Sequence, residues 1–382
     1  MDEPEIPVTE PHYFPKANQP WQQVSPEEAG FSGDRLAAAV SFAGENETPW
    51  PYSFYQDDGR YAPNVDWNET GPWSAVLGPV RPRGPAAGMI LKGGRIVSQW
   101  GETDRPDMTF SIAKSYLAVL AGLAVDDGLI ADIDAPVVQS VPGPHFASEH
   151  NRKITWRHLL QQTSEWQGEL FGKPDQIDHN RRVGAGVDNS RKGQPRELQA
   201  PGSFYEYNDV RVNLLSWSLL RIFRRPLPDV LRERVMDPIG ASSAWEWLGY
   251  DNSWVDIDGR RMQSVPGGGH WGGGLFIGAE DHARFGLMIA SGGQWEGRRI
   301  LSERWIAEML TPSPALENYG FLWWLNRGPQ ANASAPSTAV SALGAGGNVV
   351  WLDREDDLVV VTRWLSPAKF SEFIGRLMQA RA

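Results

Sequence analysis

Ser111 and Lys114 are the residues whose types and spacing most clearly suggest chemistry. They stand three positions apart at the start of segment 109–125, in which apolar residues recur with a helical period. Residues three apart share one face of a helix, and helical side chains tilt towards its N-terminus, which brings the ammonium towards the serine oxygen. A lysine in an apolar setting has a lowered pKa and can take the serine proton, while the helix N-terminus offers a backbone N–H to an oxyanion. The pair therefore predicts a nucleophilic serine activated by a lysine.

Spacing by itself is weak evidence for this chemistry. Ser366 and Lys369 have the same spacing, yet we interpret them as the beginning of a C-terminal helix, with the serine as cap and Pro367 in the first helical position. The elements around Ser111 must therefore decide its role.

Two predicted hairpins frame a helical block. Segment 88–100 has two strand-like halves joined by paired glycines, which supply the positive φ of a tight turn. A second hairpin is predicted for 348–364, around the polar residues 353–357. The intervening residues, 130–240, are helical in character and punctuated by prolines. This order predicts a sheet built from both chain ends with a helical region inserted between them.

Two segments lack a periodic pattern. Residues 1–25 are rich in proline, and we interpret them as an extended arm. Residues 44–84 are rich in Pro, Gly, Asn and Trp. We interpret them as irregular structure, with a lid as one candidate role.

The context of Ser111 resembles a known superfamily. A hairpin followed by Thr109-Phe-Ser-Ile-Ala-Lys at the head of an apolar helix resembles the nucleophile segment of class C β-lactamases, D-alanyl-D-alanine peptidases, family VIII esterases and 6-aminohexanoate-dimer hydrolases. Further segments resemble that superfamily's motifs in the same order, namely 154–164, 201–215, 273–277 and 281–286. The resemblance spans roughly Ala29 to the C-terminal helix, and collinear weak motifs are jointly more specific than any single one.

This resemblance implies an α+β fold of the β-lactamase/transpeptidase-like type, an antiparallel sheet flanked by helices with an inserted, mainly helical region. We expect a discontinuous sheet domain formed by residues 26–106 and 241–382, and a helical domain formed by residues 107–240. The active site is then expected at the junction of the two domains.

The resemblance also places Tyr207 on the superfamily's catalytic tyrosine. A phenol beside a cationic lysine is acidified. As a phenolate, or through Lys114, it can carry the proton from Ser111 to the leaving group. The sequence leaves open which of Lys114 and Tyr207 is the base in each half-reaction, because coupled groups titrate as a unit.

The sequence departs from the superfamily's pattern at several positions. Gln162 stands where His is usual, and Glu165 where Gly is usual. Asp209 stands where an Asn normally donates to the substrate, and an ionised carboxylate can only accept. We expect Asp209 either to hold Lys114 charged or to bind a donor of the substrate. The superfamily's third motif, Lys or His two residues before Gly, falls on Ala342-Leu343-Gly344, so its cation is missing.

That missing cation bears on the substrate, because in the superfamily it helps to hold a substrate carboxylate. Its absence counts against efficient turnover of β-lactams or D-Ala-D-Ala peptides. The same strand supplies a second oxyanion N–H, for which we nominate Ala345 beside the backbone N–H of Ser111, and Gly344 permits a close approach.

Aromatic residues and glycines provide candidates for the substrate pocket. His270 and Trp271 are flanked by glycines that let backbone come close to a ligand, and Trp166 follows the 154–164 segment. We interpret all three as candidate pocket residues, with packing as the alternative.

Other catalytic motifs are not supported. Gly267-x-Gly269-x-x-Gly272 has the spacing of a dinucleotide-binding loop but lacks a surrounding βαβ unit. The sequence contains no Gly-x-Ser-x-Gly elbow and no His-Glu-x-x-His pair, which argues against an α/β-hydrolase or a zincin.

Composition narrows the functional classes further. The formal net charge of -11 argues against nucleic acid as a partner. The absence of cysteine excludes disulfides, thiolate nucleophiles and cysteine-based metal sites. The start of the sequence lacks a signal-peptide pattern, and no stretch is apolar enough for a membrane span, so we expect a cytoplasmic protein. The oligomeric state stays open, a homodimer being one alternative.

Together these observations predict a serine hydrolase that forms an acyl-enzyme on a carboxylic ester or small amide, without a metal or organic cofactor. The alternatives are a β-lactamase or D-Ala peptidase, and an amide-oligomer hydrolase of the 6-aminohexanoate type. A non-enzymatic alternative is a sensor or binding protein that is acylated without turnover.

Overall fold

A six-stranded antiparallel sheet forms the centre of the structure, a computed structural model that describes residues 12–184 and 186–381. Its strands are β1 (Ala87–Lys92), β2 (Arg95–Trp100), β12 (Trp324–Leu325), β13 (Val340–Gly344), β14 (Asn348–Asp353) and β15 (Leu358–Arg363), in the order β12-β13-β14-β15-β1-β2. Both predicted hairpins are confirmed, because β1 pairs with β2 and β14 with β15. The sheet joins the two ends of the chain through the pairing of β1 with β15.

Smaller strands build four further sheets. The strands β3 (Asp107–Met108), β9 (Gly274–Ile277) and β6 (Glu246–Leu248) form a three-stranded sheet. The two-stranded sheets are β4 (Glu169–Leu170) with β5 (Lys173–Pro174), β7 (Trp254–Ile257) with β8 (Arg260–Gln263), and β10 (Gln294–Trp295) with β11 (Arg298–Arg299).

The α-helices are α1 (Gly33–Glu45), α2 (Ala62–Asp66), α3 (Ile112–Asp126), α4 (Trp156–Leu160), α5 (Asp209–Phe223), α6 (Leu227–Leu231), α7 (Ala279–Ala290), α8 (Glu303–Met309) and α9 (Phe370–Gln379). Short 3-10 turns occupy Gly71–Ser74, Val137–Gln139, Pro144–Phe146, Asn151–Lys153, Asp175–Asp178 and Pro367–Lys369, and a π-helical turn occupies Arg232–Met236. After Ser366 the chain first forms the 3-10 turn, and the α-helical part begins at Phe370, three residues later than the sequence predicts.

Helices cover both faces of the main sheet because successive strand residues point to opposite sides. Val359 and Val361 of β15 lie in the larger core, with α3 and α7. Leu358 and Val360 lie in a second core, with α1 and α9. The run Leu358–Arg363 is buried throughout for this reason.

Helix α3 lies at the centre of the molecule, between the sheet and the other helices. Every residue from Ile112 to Ala124 is buried, which confirms the prediction of a helix that is apolar on most sides. It packs against α5 and against β13. Ser111, at the N-terminus of α3, therefore lies where the sheet meets the helical part of the chain.

The two segments without a periodic pattern both pack on the rest of the protein. Residues 1–11 of the predicted arm lie outside the described residues, whereas Gln22 and Val24 exchange backbone hydrogen bonds with Ile96 of β2. Segment 44–84 contains α2 and one 3-10 turn and is otherwise irregular. None of the helices in the described ranges has the length and apolar character needed to cross a membrane.

Candidate active site

Ser111 occupies the N-cap position of α3 and follows a strained residue. Phe110 has a φ of 49°, a left-handed conformation that costs a bulky residue roughly 1–3 kcal/mol. Its ring packs edge-on against Trp50, Phe54 and Trp364, with ring centres 5.3, 5.8 and 6.3 Å away. This aromatic packing holds the turn that presents Ser111.

A buried polar cluster supports the residue before that turn. The hydroxyl of Thr109 lies 2.6 Å from Nε2 of His282 and accepts a 3.2 Å hydrogen bond from Arg363. The other ring nitrogen of His282 lies 3.0 Å from the hydroxyl of Tyr116, one turn into α3. Burial, together with the charge of Arg363, lowers the pKa of His282 well below its ordinary value, so a neutral imidazole joins the two hydroxyls.

Lys114 donates a 2.9 Å hydrogen bond to Oγ of Ser111, as the spacing predicts. It also donates a 2.5 Å hydrogen bond to Oδ1 of Asp209. Burial favours the neutral amine, but the attraction of Asp209 outweighs burial and raises the pKa of Lys114 above its ordinary value. The expected lowering of the lysine pKa is therefore wrong, because the setting of Lys114 is ionic rather than apolar.

Tyr207 lies beside this pair and is almost fully buried. The ammonium nitrogen of Lys114 is 4.7 Å from the centre of its ring, and the guanidinium carbon of Arg181 is 5.1 Å from the same point. Trp324 stacks on the ring at 6.1 Å. The hydroxyl of Tyr207 forms no hydrogen bond with any described residue.

Both oxygens of Asp209 are used within the protein. Oδ2 accepts from Arg181 at 2.6 Å and lies 3.1 Å from Nδ1 of His270, while Oδ1 accepts from Lys114. Burial would raise the pKa of Asp209, but Lys114 and Arg181 hold it well below its ordinary value. Of the two expected roles of Asp209, the geometry favours the one in which it keeps Lys114 charged.

Asp209 belongs to a larger group of buried charges, which we call the buried charge cluster. Its members are Glu69, Lys114, Asp178, Arg181, Lys192, Asp209 and His270. Oxygen and nitrogen atoms of Asp178, Asp209 and His270 lie within 4.8 Å of one another, a spacing that could suit a metal ion. Lys114, Arg181 and Lys192 already neutralise the carboxylates of the cluster, so its residues do not fit a metal ion well.

Glu69, Asp178, Arg181 and Lys192 escaped the sequence analysis. Each lies in an irregular segment or beside a short turn, and no spacing links any of them to Ser111. The one sequence feature that could have pointed to them is Asp209 within residues 201–215, because a carboxylate in place of an amide needs neighbouring cations.

The departures at Gln162 and Glu165 support the segment that carries Tyr207. Gln162 donates to the hydroxyl of Tyr319 at 2.7 Å and accepts from the backbone of Asn208 at 2.9 Å. Its φ is 54°, and that of Glu165 is 49°. Glu165 therefore has the left-handed conformation that explains why glycine is usual there.

Two arginines compensate for the glutamate at this position. Glu165 is fully buried and pairs with Arg196 at 2.5 Å and with Arg211 at 2.7 Å. It also accepts a 2.8 Å hydrogen bond from the backbone of Gln199. Burial would raise its pKa, but these partners lower the pKa to about 2.

The nominated oxyanion strand lies against the segment that precedes Ser111. A Cβ atom on Gly344 would lie 2.2 Å from the carbonyl oxygen of Thr109. Ala342, at the position of the missing cation, lies in the core that contains α3. Its side chain is therefore on the face of the sheet that packs against α3. The carbonyl of Ala345 accepts a 2.7 Å hydrogen bond from Asn348. Its N–H as an oxyanion donor stays a prediction.

The three aromatic candidates for the pocket are all buried. Trp166 lies in the core and donates to the carbonyl of His145 at 2.7 Å, which favours packing as its role. Trp271 stacks on His270 at 4.2 Å and donates to Oε1 of Glu69 at 2.6 Å. His270 and Trp271 thus contact Asp209 and Glu69 of the buried site.

Comparison with known proteins identifies the family. A family model described as Beta-lactamase matches residues 83–366, well over half of the chain. The chain belongs to the β-lactamase family. This family member is a serine hydrolase, and the predicted superfamily and α+β fold class are confirmed.

Individual relatives of this β-lactamase family member are distant. It is 24% identical over 307 residues to a 6-aminohexanoate-dimer hydrolase of Paenarthrobacter ureafaciens, with coverage of 73% of this chain and 72% of the relative. A penicillin-binding protein homologue from Caulobacter crescentus matches with a TM-score of 0.59 at 17% identity, over 92% of this chain and 99% of that one. A β-lactamase/D-alanine carboxypeptidase from Pseudomonas syringae matches at 0.55 and 16%, over 78% and 94%.

Glu165→Gln is expected to lower the free energy of unfolding by about 3 kcal/mol at pH 7, because it leaves buried Arg211 short of a counter-charge. The pKa of Glu165 lies below its ordinary value, so its stabilisation is present above pH 4.5 and is lost as the pH falls towards 2. Urea unfolding should therefore show a difference from wild type that shrinks over this range.

Glu372→Gln is the matched control, since Glu372 pairs with Arg376 at the surface. Its effect on the free energy of unfolding should be close to zero, because solvent screens an exposed ion pair. Equal losses for Glu165→Gln and Glu372→Gln would contradict the structural role of Glu165.

Gly344→Ala is expected to lower ester hydrolysis at least about tenfold, because the added methyl pushes β13 away from Thr109 and displaces the oxyanion strand. Gly44→Ala is its control, because this helical position has open space around it. Rates with p-nitrophenyl acetate and thermal unfolding curves measure both variants. Full activity of Gly344→Ala would show that the strand does not need this close approach.

Proposed function

We propose that this chain hydrolyses carboxylic esters or small amides through an acyl-enzyme on Ser111. The observation that carries the proposal is the 2.9 Å hydrogen bond from Lys114 to Ser111 at a helix N-terminus, with the centre of the Tyr207 ring 4.7 Å from the same ammonium. A serine held in this way has a cation that stabilises its alkoxide, and that cation has a phenol beside it.

Tyr207 is the base that best fits the charges. Lys114 already donates to Ser111 and to Asp209, and its raised pKa keeps it protonated. An ammonium has no lone pair and cannot accept the serine proton. Lys114 and Arg181 lie over the ring of Tyr207, at 4.7 and 5.1 Å from its centre, and the phenol of Tyr207 is the proposed proton acceptor.

The reaction then follows in two halves. Oγ of Ser111 attacks the substrate carbonyl as its proton passes to the phenolate of Tyr207, and Tyr207 returns that proton to the leaving alcohol or amine. In the second half Tyr207 takes a proton from water, hydroxide attacks the acyl carbon, and the proton returns to Ser111 as the acid is released. The N–H groups of Ser111 and Ala345 are the proposed donors to the oxyanion.

The strand beside the site favours substrates without a carboxylate next to the scissile bond. Ala342 takes the place of the cation that would bind such a group, and Arg181 is already paired with Asp178 and Asp209. These features support esters and amides over β-lactams and D-Ala peptides. The similarity to a 6-aminohexanoate-dimer hydrolase supports linear amides as the second candidate class.

Ser111→Ala, Lys114→Ala and Tyr207→Phe are each expected to lower kcat on p-nitrophenyl acetate by about a hundredfold or more. Intact mass spectrometry of the same reactions should show an acetyl adduct on the wild type and none on Ser111→Ala. Penicillin G and a 6-aminohexanoate dimer, tested in parallel, rank the substrate classes.

Ser366→Ala is the control, because Ser366 has the same spacing from a lysine but lies at the C-terminal helix. It should keep wild-type rates. Wild-type rates in Lys114→Ala, or hydrolysis that persists in Ser111→Ala, would refute the mechanism.

A further inference from the structure

His270 lies between two buried carboxylates, one on each side of its ring. Nδ1 is 3.1 Å from Oδ2 of Asp209, and Nε2 is in close contact with Oε2 of Glu69. The side chains of these three residues are at most 3% exposed. Glu69 comes from irregular segment 44–84, whereas Asp209 begins α5, so His270 links that segment to the counter-ion of Lys114.

The two carboxylates hold the ring of His270 from both sides. Nδ1 is at hydrogen-bond distance from Asp209, whereas Nε2 meets Glu69 in a close contact that lacks hydrogen-bond geometry. A buried carboxylate is costly unless a cation or donor meets it. Burial would raise the pKa of Glu69, but His270, Lys192 and Trp271 lower it to about 2.

We propose that Glu69 and His270 are positioning residues for the hydrolysis reaction: Glu69 fixes the ring of His270, and His270 in turn fixes Asp209 against Lys114. This inference rests on the proposed function, because it assumes that Lys114 acts on Ser111. It gives segment 44–84 a part in catalysis, which no motif in that segment indicates.

Other contacts hold the pair in place. Trp67 meets the His270 ring edge-on at 4.3 Å, and Trp271 stacks on it at 4.2 Å. Glu69 also accepts from Nε1 of Trp271 and pairs with Lys192 at 3.3 Å. The titratable groups around His270 are Glu69 and Asp209 in contact with its ring and Asp178 within 4.8 Å, with Lys173 beyond Trp271.

Glu69→Gln and His270→Gln are the test variants, and Glu47→Gln is the matched control. Glu47 lies in the same segment and pairs with buried Arg83 rather than with His270. Kinetics with p-nitrophenyl acetate between pH 5 and 10, thermal unfolding, and ¹⁵N NMR of the histidine side chains are measured for each. The histidine signal that is absent from the spectrum of His270→Gln is assigned to His270.

We expect Glu69→Gln and His270→Gln to lower kcat about tenfold or more with little change in KM, because both disturb the position of Asp209 and Lys114 and not the binding of substrate. Glu47→Gln should keep the wild-type kcat at every pH. The side-chain nitrogen signals of His270 should shift in Glu69→Gln and stay at their wild-type positions in Glu47→Gln.

A Glu69→Gln kcat profile that matches Glu47→Gln would overturn the inference, and so would His270 signals that do not change in Glu69→Gln. His270→Gln provides the same kinetic test where Glu69→Gln does not fold. A wild type without Ser111-dependent turnover would instead refute the proposed function, and with it the catalytic role of the pair.

Discussion

The ion pair between Lys114 and Asp209 is the constraint on which the rest of the site depends. Two opposite charges buried this deeply are stable only if every remaining lone pair and proton also finds a partner. Asp209 therefore also contacts Arg181 and His270. Arg181 pairs in turn with Asp178, and His270 contacts Glu69. One substitution of a carboxylate for an amide is thus associated with a cluster that joins α3, α5 and three further segments, around Glu69, residues 178–192 and His270.

Strain in the backbone accompanies this electrostatic constraint. Phe110, Gln162 and Glu165 all have positive φ, and each precedes or supports a residue of the site. Such conformations persist only where the surroundings hold them. Here aromatic rings hold Phe110, hydrogen bonds hold Gln162, and two arginines hold Glu165. The geometry around Ser111 and Tyr207 is therefore set by tertiary contacts and not by local preference.

The sequence predicts the fold and the nucleophile segment well, because hydrophobic period and glycine turns are local signals. Both hairpins, α3 and the contact between Ser111 and Lys114 follow from them. The direction in which the pKa of Lys114 is shifted does not follow from local signals, since it depends on the carboxylate of Asp209, 95 positions away. The roles of Glu69 and Arg181 cannot be predicted from the sequence either, because whether a charged side chain is buried depends on distant partners that no periodic pattern reveals.

The attachment of the N-terminal arm to β2 has a consequence for solubility. Strand β2 ends one side of the main sheet, and an uncovered edge strand offers its backbone groups to strands of other molecules. Gln22 and Val24 occupy the outward N–H and carbonyl of Ile96, at the start of this edge. At the opposite side, β12 is only two residues long. One edge is thus covered at Ile96 and the other is only two residues long, and both features limit intermolecular extension of the sheet.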